Sequence, residues 1–138
     1  MKYITINTHG GPLPEIHGDW IDLCTAEETI IYKGEYKRIS LGVSMQLPEG
    51  YYAEMAPRSS TAEKWGIIMA NSIGIIDHDY NGDNDIWQFP AYAFRTSRIP
   101  KGTRIAQFRI VKQSEKIKFI PTDRLYNDDR GGIGSTGD

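Results

Sequence analysis

Gly, Pro, Asn and Asp recur so often along this chain that few stretches between them could carry a long helix, and this punctuation limits the fold more than any other feature. The intervening stretches alternate or are rich in β-branched and aromatic residues. They predict strands at Tyr3–Asn7, Trp20–Leu23, Thr29–Tyr32, Arg38–Val43, Tyr51–Met55, Gly66–Ala70, Ile86–Phe94, Arg104–Val111 and Ile117–Ile120. Leu47-Pro48-Glu49-Gly50 and Ile99-Pro100-Lys101-Gly102 read as tight turns entering a strand, with Pro fixing φ and Gly accepting a positive φ. Many short strands with frequent turns point to an all-β, closed double-sheet architecture that hides its edges. One short helix is expected where Ser60-Thr61-Ala62-Glu63 has capping-box spacing and Gly66 stops the turn.

At 138 residues, with no internal repeat or linker, the chain is expected to form a single domain over residues 1–138 around one core. Residues 128–138 read as a mobile arm, because the last nine residues, Arg130–Asp138, hold four glycines and almost no apolar surface. A formal net charge of -2 argues against direct binding of double-stranded nucleic acid, which calls for a basic excess. No apolar run approaches the roughly 20 residues that span a bilayer, so no membrane association is expected. The N-terminus alternates like a strand and lacks the apolar block of a signal peptide. Cys24 is the only cysteine, which fits a reducing, cytoplasmic setting and a small inert hydrophobe. His9, His17 and His78 are scattered and do not have zinc-site spacing.

Several segments carry chemistry. Pro57-Arg58-Ser59-Ser60 leads into the short helix, and an arginine with two hydroxyls there would cradle phosphate, or simply cap the helix. In Asn71-Ser72-Ile73-Gly74-Ile75-Ile76-Asp77-His78-Asp79-Tyr80-Asn81-Gly82-Asp83, Asn81-Gly82 is a hairpin-turn signal. Asp77 follows three apolar positions, as a carboxylate at a pocket mouth would, where it could act as a general base on water. Ordinary turn aspartates in a hairpin would look the same. In Lys101-Gly102-Thr103-Arg104-Ile105-Ala106-Gln107-Phe108, Ala106, Phe108 and Ile110 share one strand face while Gln107 lies on the other, needing partners if buried. Arg130-Gly131-Gly132-Ile133-Gly134-Ser135-Thr136-Gly137 offers unhindered amides for an anion but lacks the Lys of a P-loop. Asp22, between Ile21 and Leu23 on a strand, calls for a pairing partner or a hydrated metal nearby.

In this order the segments resemble the motifs of the trimeric dUTPases, along nearly the whole chain. Ile21-Asp22-Leu23 resembles the family's first motif, Pro57–Ser60 the second, Gly74–Asp83 the third, Lys101–Gln107 the fourth and Arg130–Gly137 the fifth. The continuation Gly82-Asp83-Asn84-Asp85-Ile86-Trp87 is similar to the Gram-positive bacterial and phage variant. The resemblance implies a jelly-roll-like fold and hydrolysis of dUTP to dUMP and pyrophosphate in a homotrimer with shared sites. Asp77 would activate the water, and Asn71, Ile75, Ile76, Tyr80 and Asp85 would meet the nucleoside. Arg58, Ser59, Ser60 and Gln107 would come from a second subunit, and Arg130, Ile133, Gly134, Ser135 and Thr136 from the arm of a third. Mg²⁺ would be the cofactor, held by Asp22 through water. Uracil would be read by main-chain groups of the hairpin around Ile76–Asp85. Two departures from the family stand out. Ile133 occupies a position that is usually aromatic, leaving Trp87 or Phe89 to supply the missing ring, and Ser60 replaces a frequent Gly.

Three rivals are weighed against this. A dCTP deaminase shares Pro-Arg-Ser-Ser but needs a Glu, and there is none between Glu63 and Glu115. A non-catalytic partner-binding protein on the same scaffold is the second, and an additional protein partner remains open. A nucleic-acid-binding barrel is disfavoured by charge.

Overall fold

The computed structural model describes residues 1–134. Its elements run β1 (Thr5–Asn7), β2 (Glu15–His17), β3 (Trp20–Cys24), β4 (Thr29–Ile31), β5 (Tyr36–Ser40), β6 (Ser44–Gln46), β7 (Tyr51–Pro57), α1 (Thr61–Trp65), β8 (Ile67–Met69), β9 (Gly74–Ile76), β10 (Gln88–Ala93), β11 (Ser97–Ile99) and β12 (Arg104–Lys112). Five strands form one sheet in the order β2-β3-β12-β7-β9, and three form another in the order β5-β10-β8. Short ladders join β1 to β6 and β11 to β4. All of these pairings are antiparallel. The all-β, jelly-roll-like arrangement expected from the turn punctuation is present.

Period-two alternation decides which residues face inward. On β12, Ala106 and Phe108 are buried and Ile110 packs against the core, while Gln107 faces away. On β10, Phe89, Ala91 and Ala93 are fully buried, and Gln88 and Tyr92 point outward. The inner faces meet in one cluster with Leu23, Ile31, Ile67, Ile99 and Ile105, where Trp87 stands edge-on to Phe108 at 4.9 Å and 73°.

Four strands escaped the sequence reading: β2, β6, β9 and β11, each three residues long. The stretch read as Arg38–Val43 ends at Ser40, and Gly42, at φ 69°, turns the chain toward β6. The strand expected at Ile117–Ile120 does not form; Phe119 is 91% exposed and the segment pairs with nothing among the described residues. Asn81-Gly82 does not close a hairpin either, because β9 pairs with β7 whereas β10 pairs with β5 and β8. Its flanks belong to different sheets. The helix forms as expected but without a capping box: Ser60 sits at φ -94°, ψ -4° and makes no side-chain cap bond. Its C-terminus is closed instead by Gly66 at φ 65° and by Arg95 Nη2, which donates to the Glu63 and Lys64 carbonyls at 3.0 Å each.

Candidate active site

After β8 the chain turns at Asn71-Ser72-Ile73, with Ser72 in a left-handed conformation at φ 65°. It then runs into β9, which pairs with the edge of β7. Gly74 lies opposite Met55, and a Cβ there would come within 3.1 Å of both Met55 Cβ and Cε. The missing side chain is what lets β9 approach. From Asp77 the loop continues without strand pairing to Trp87. Tyr80 N–H donates to the Asp77 carbonyl at 3.1 Å, and Gly82 N–H donates to Asp85 Oδ2 at 2.9 Å.

Between this loop and the outer face of β5 and β10 lies a cavity of about 730 Å³. Asn71, Ile75, Ile76, Asp77 and Tyr80, all singled out from the sequence, line it together. The carboxylate of Asp77 has no ion pair or side-chain hydrogen bond among the described residues and is free to act on something in the cavity. Tyr36 and Arg38 on β5, Asp79 and Ile86 on the loop, and Gln88 and Pro90 on β10 also line the cavity, and the sequence reading missed them as site residues. Outward positions of β5 and β10 look like ordinary solvated strand positions, so nothing local marked them.

Asp85 does not line the cavity. Its carboxylate instead accepts from Gly82 N–H and holds the loop turn. Trp87 and Phe89, expected to supply the missing lid ring, are 1% and 0% exposed and packed in the core, with Trp87 also on the cavity wall.

A second group gathers on the far face of the five-stranded sheet. Glu15, Asp22, Gln107 and Ala56 are successive cross-strand partners and form one row across β2, β3, β12 and β7. Asp22 is buried, and Arg58 Nε lies 3.1 Å from its Oδ1. On its other oxygen stand His17 Nε2 at 3.4 Å and Arg104 Nη1 at 3.8 Å. Gln107 Nε2 donates to the Pro57 carbonyl at 3.1 Å, which gives the half-buried amide a partner. Arg58 N–H and Thr61 Oγ1 both donate to the Ile105 carbonyl, tying the Pro57–Ser60 turn to β12. Gly18-Asp19, with Gly18 at φ 64°, was the available signal for β2, and through it for His17 and Glu15 beside Asp22. Burial pushes the Cys24 thiol up, outweighing the nearby Arg104, which keeps it protonated and unsuited to be a nucleophile.

The two groups do not meet within one chain. Ser59 and Ser60 are exposed at the helix start beside the second group, and Arg130, Ile133 and Gly134 lie in the exposed terminal stretch outside both. Ser135 and Thr136 fall outside the described residues.

The family model for dUTPase matches residues 20–137. The chain belongs to the dUTPase family. It is 58% identical over 120 residues to the SPbeta prophage-derived deoxyuridine 5'-triphosphate nucleotidohydrolase of Bacillus subtilis, covering 87% of this chain and 84% of the relative. Among solved structures, a point mutant of the Staphylococcus bacteriophage 80alpha dUTPase with dUpNHpp superposes with a TM-score of 0.78 at 20% identity, covering 98% of each chain. A mutant dUTPase from phage phi11 of S. aureus, described with a structural Mg(II) ion, gives a TM-score of 0.75 at 18% identity over 89% of this chain and 99% of its own. These structural likenesses bear on the fold. The Gram-positive and phage character expected from the Gly82–Trp87 continuation agrees with the prophage relative.

Among the described residues no helix is long and apolar enough to cross a membrane.

Proposed function

We propose that this dUTPase-family chain hydrolyses dUTP to dUMP and pyrophosphate in a homotrimer whose sites are shared between subunits. The observation that carries the reading is the cavity that brings Asn71, Ile75, Ile76, Asp77 and Tyr80 together, with an unpaired Asp77 carboxylate on its wall. In this reading the deoxyuridine enters the cavity. Tyr80 packs against the deoxyribose and leaves no room for a 2′-hydroxyl, while Asn71 and main-chain groups near Ile75 and Ile76 read uracil. A fixed donor and acceptor pattern there leaves cytosine with unpaired polar groups.

Asp77 takes a proton from a water whose oxygen bonds to the α-phosphorus as the bond to the bridging oxygen breaks. Pyrophosphate then carries away the bridging electron pair, and the proton stays on the Asp77 carboxyl until it is lost to solvent. Such transfer depends mainly on positioning and on neutralising phosphate charge. Arg58, oriented by Asp22, and Gln107 and the Ser59 and Ser60 hydroxyls would do this from a second subunit, with Arg130 and the arm from a third.

Mg²⁺ was expected on Asp22 through water. No group of three His, Cys, Asp or Glu among the described residues could hold an ion, and Asp22 is already surrounded by two arginines and a histidine. In this reading Mg²⁺ enters on the triphosphate and offsets its charge.

Sharing between subunits is supported by the separation of the two groups and by the terminal segment. There Ile117, Phe119, Ile120, Leu125 and Tyr126 are exposed and leave apolar surface for another copy to cover. The test is to incubate purified protein and Mg²⁺ with dUTP, dCTP, dTTP or UTP separately and identify the products, with the oligomer sized by light scattering. Pyrophosphate from dUTP alone and a trimer are expected. Ammonia from dCTP would overturn the activity, and a fully active monomer would overturn the shared site.

A further inference from the structure

The loop that lines the cavity is tied down at its far end by Asn7, His9 and Ser44. Where β1 ends, His9 turns at a left-handed φ of 49° and its backbone N–H donates to Asn7 Oδ1 at 2.9 Å. Asn7 is then directed at Asp83 and the His9 ring at Ser44. Asn7 Nδ2 donates to Asp83 Oδ1 at 2.9 Å. Ser44 Oγ, buried at the start of β6, donates to the Asp83 carbonyl at 3.1 Å. A hydroxyl has one proton to give, so the 2.9 Å contact between His9 Nε2 and Ser44 Oγ requires the ring to donate. The chain of donors therefore runs from His9 through Ser44 to the main chain of the loop.

Asp83 lies inside the turn that Gly82 and Asp85 close on each other, with Gly82 N–H on Asp85 Oδ2 and Asp85 N–H on the Gly82 carbonyl at 3.1 Å. Asp77, at the near end, is held by the pairing of β9 with β7. Trp87, at the other end, is bonded through its main chain to Leu41 and Val43. The stretch between them pairs with no strand, so the clamp on Asp83 anchors its middle. We propose that Asn7 and His9 are positioning residues for substrate binding, holding the Tyr80–Ile86 limb over the cavity so that the nucleoside meets a preformed wall. The inference rests on reading the cavity as the deoxyuridine site. Asn7 and His9 lie in the N-terminal segment before residues 20–137, the span matched by the family model, and Ser44 lies within it. A wall ordered before binding spares the ligand the cost of ordering it.

The experiment compares the full-length protein with His9→Leu, Asn7→Ala and the donor-restoring His9→Gln. It measures dUTP hydrolysis, inhibition by dUMP and thermal melting. Both side chains are exposed, so the variants are expected to fold. His9→Leu should raise KM about fivefold, the effect of one net hydrogen bond. The dUMP inhibition constant should rise by the same factor, and kcat should stay within about twofold because β9 still holds Asp77. His9→Gln should restore both constants, and Asn7→Ala should give a smaller rise because its bond is solvent-exposed. A lower melting temperature with unchanged KM and dUMP inhibition would mean that the turn only stabilises the fold, and would overturn the proposal. So would failure of His9→Gln to rescue, or a fall in kcat alone. If the unaltered protein does not hydrolyse dUTP, the site reading falls and takes this one with it. An active parent with unaffected variants overturns the clamp alone.

Discussion

Asp22→Asn keeps the side chain's volume and one carbonyl acceptor while removing a negative charge that Arg58, His17 and Arg104 surround at 3.1, 3.4 and 3.8 Å. No cavity opens, so the loss is electrostatic. A hydrogen bond to a charged group contributes about 1.5–3 kcal/mol net. Arg58 and Arg104 keep 35% and 42% of their side-chain surface exposed, so water takes over part of their solvation when the carboxylate goes. The lower end of the range therefore applies, about 1.5 kcal/mol. With a urea slope of about 1.5 kcal/mol per molar, the unfolding midpoint should fall by about 1 M at fixed protein concentration. The same variant should raise KM for dUTP, because Arg58 is no longer aimed, and should leave unchanged the Mg²⁺ concentration that gives half-maximal rate. Urea unfolding followed by tryptophan fluorescence, together with a Mg²⁺ titration of hydrolysis, reads both effects. An unchanged midpoint with a raised Mg²⁺ requirement would refute the reasoning, since the carboxylate would then be working on the ion rather than on Arg58.

Asp77→Asn should lower kcat by at least about a hundredfold while a nonhydrolysable dUTP analogue still binds in calorimetry; parallel loss of binding and turnover would count against the base assignment. Gly66→Ala should destabilise the fold by at least about 1 kcal/mol from the left-handed backbone alone, and the added Cβ would sit 2.7 Å from Arg95 Cβ, displacing the arginine that closes α1. An unchanged melting temperature would show that this turn relaxes freely. Truncation after Asn127 should cut turnover sharply and leave circular dichroism and oligomer size unaltered. Full activity of the truncated protein would remove the arm from the site.

The inward and outward residues of β12 were legible because alternation is a local property, and so were the turns at Pro48–Gly50 and Pro100–Gly102. The segment holding Asn71, Ile75, Ile76, Asp77 and Tyr80 was legible for a similar reason: one continuous stretch of chain makes that part of the wall. What stayed hidden depends on distant pairing. Asn81-Gly82 has the composition of a hairpin turn, yet β9 finds its partner in β7, so register between remote strands overrides local turn preference. Tyr36, Arg38, Gln88 and Pro90 become cavity walls only because the loop folds over them. Ile117–Ile120 shows the converse. Its β-branched and aromatic residues suit a strand, but propensity yields none without a partner strand, and this segment meets none among the described residues.

Strand β7 shows why the two groups of site residues stay apart. Met55 faces the cavity, while Ala56, the next residue, lies in the row with Gln107 and Asp22 on the other side of the same sheet. Successive residues of a strand point to opposite faces, so the chain that places Asp77 at the cavity must place Asp22 and Gln107 behind the sheet. A nucleotide cannot pass through a hydrogen-bonded sheet to touch both. Loop motion does not remove this obstacle either, since Asp22 and Gln107 sit inside β3 and β12 and not on their connections. In the proposed reading, the Asp22–Arg58 pair that meets phosphate at the cavity of one copy therefore comes from another copy. The alternation that builds the core therefore argues for an assembled, multi-subunit site.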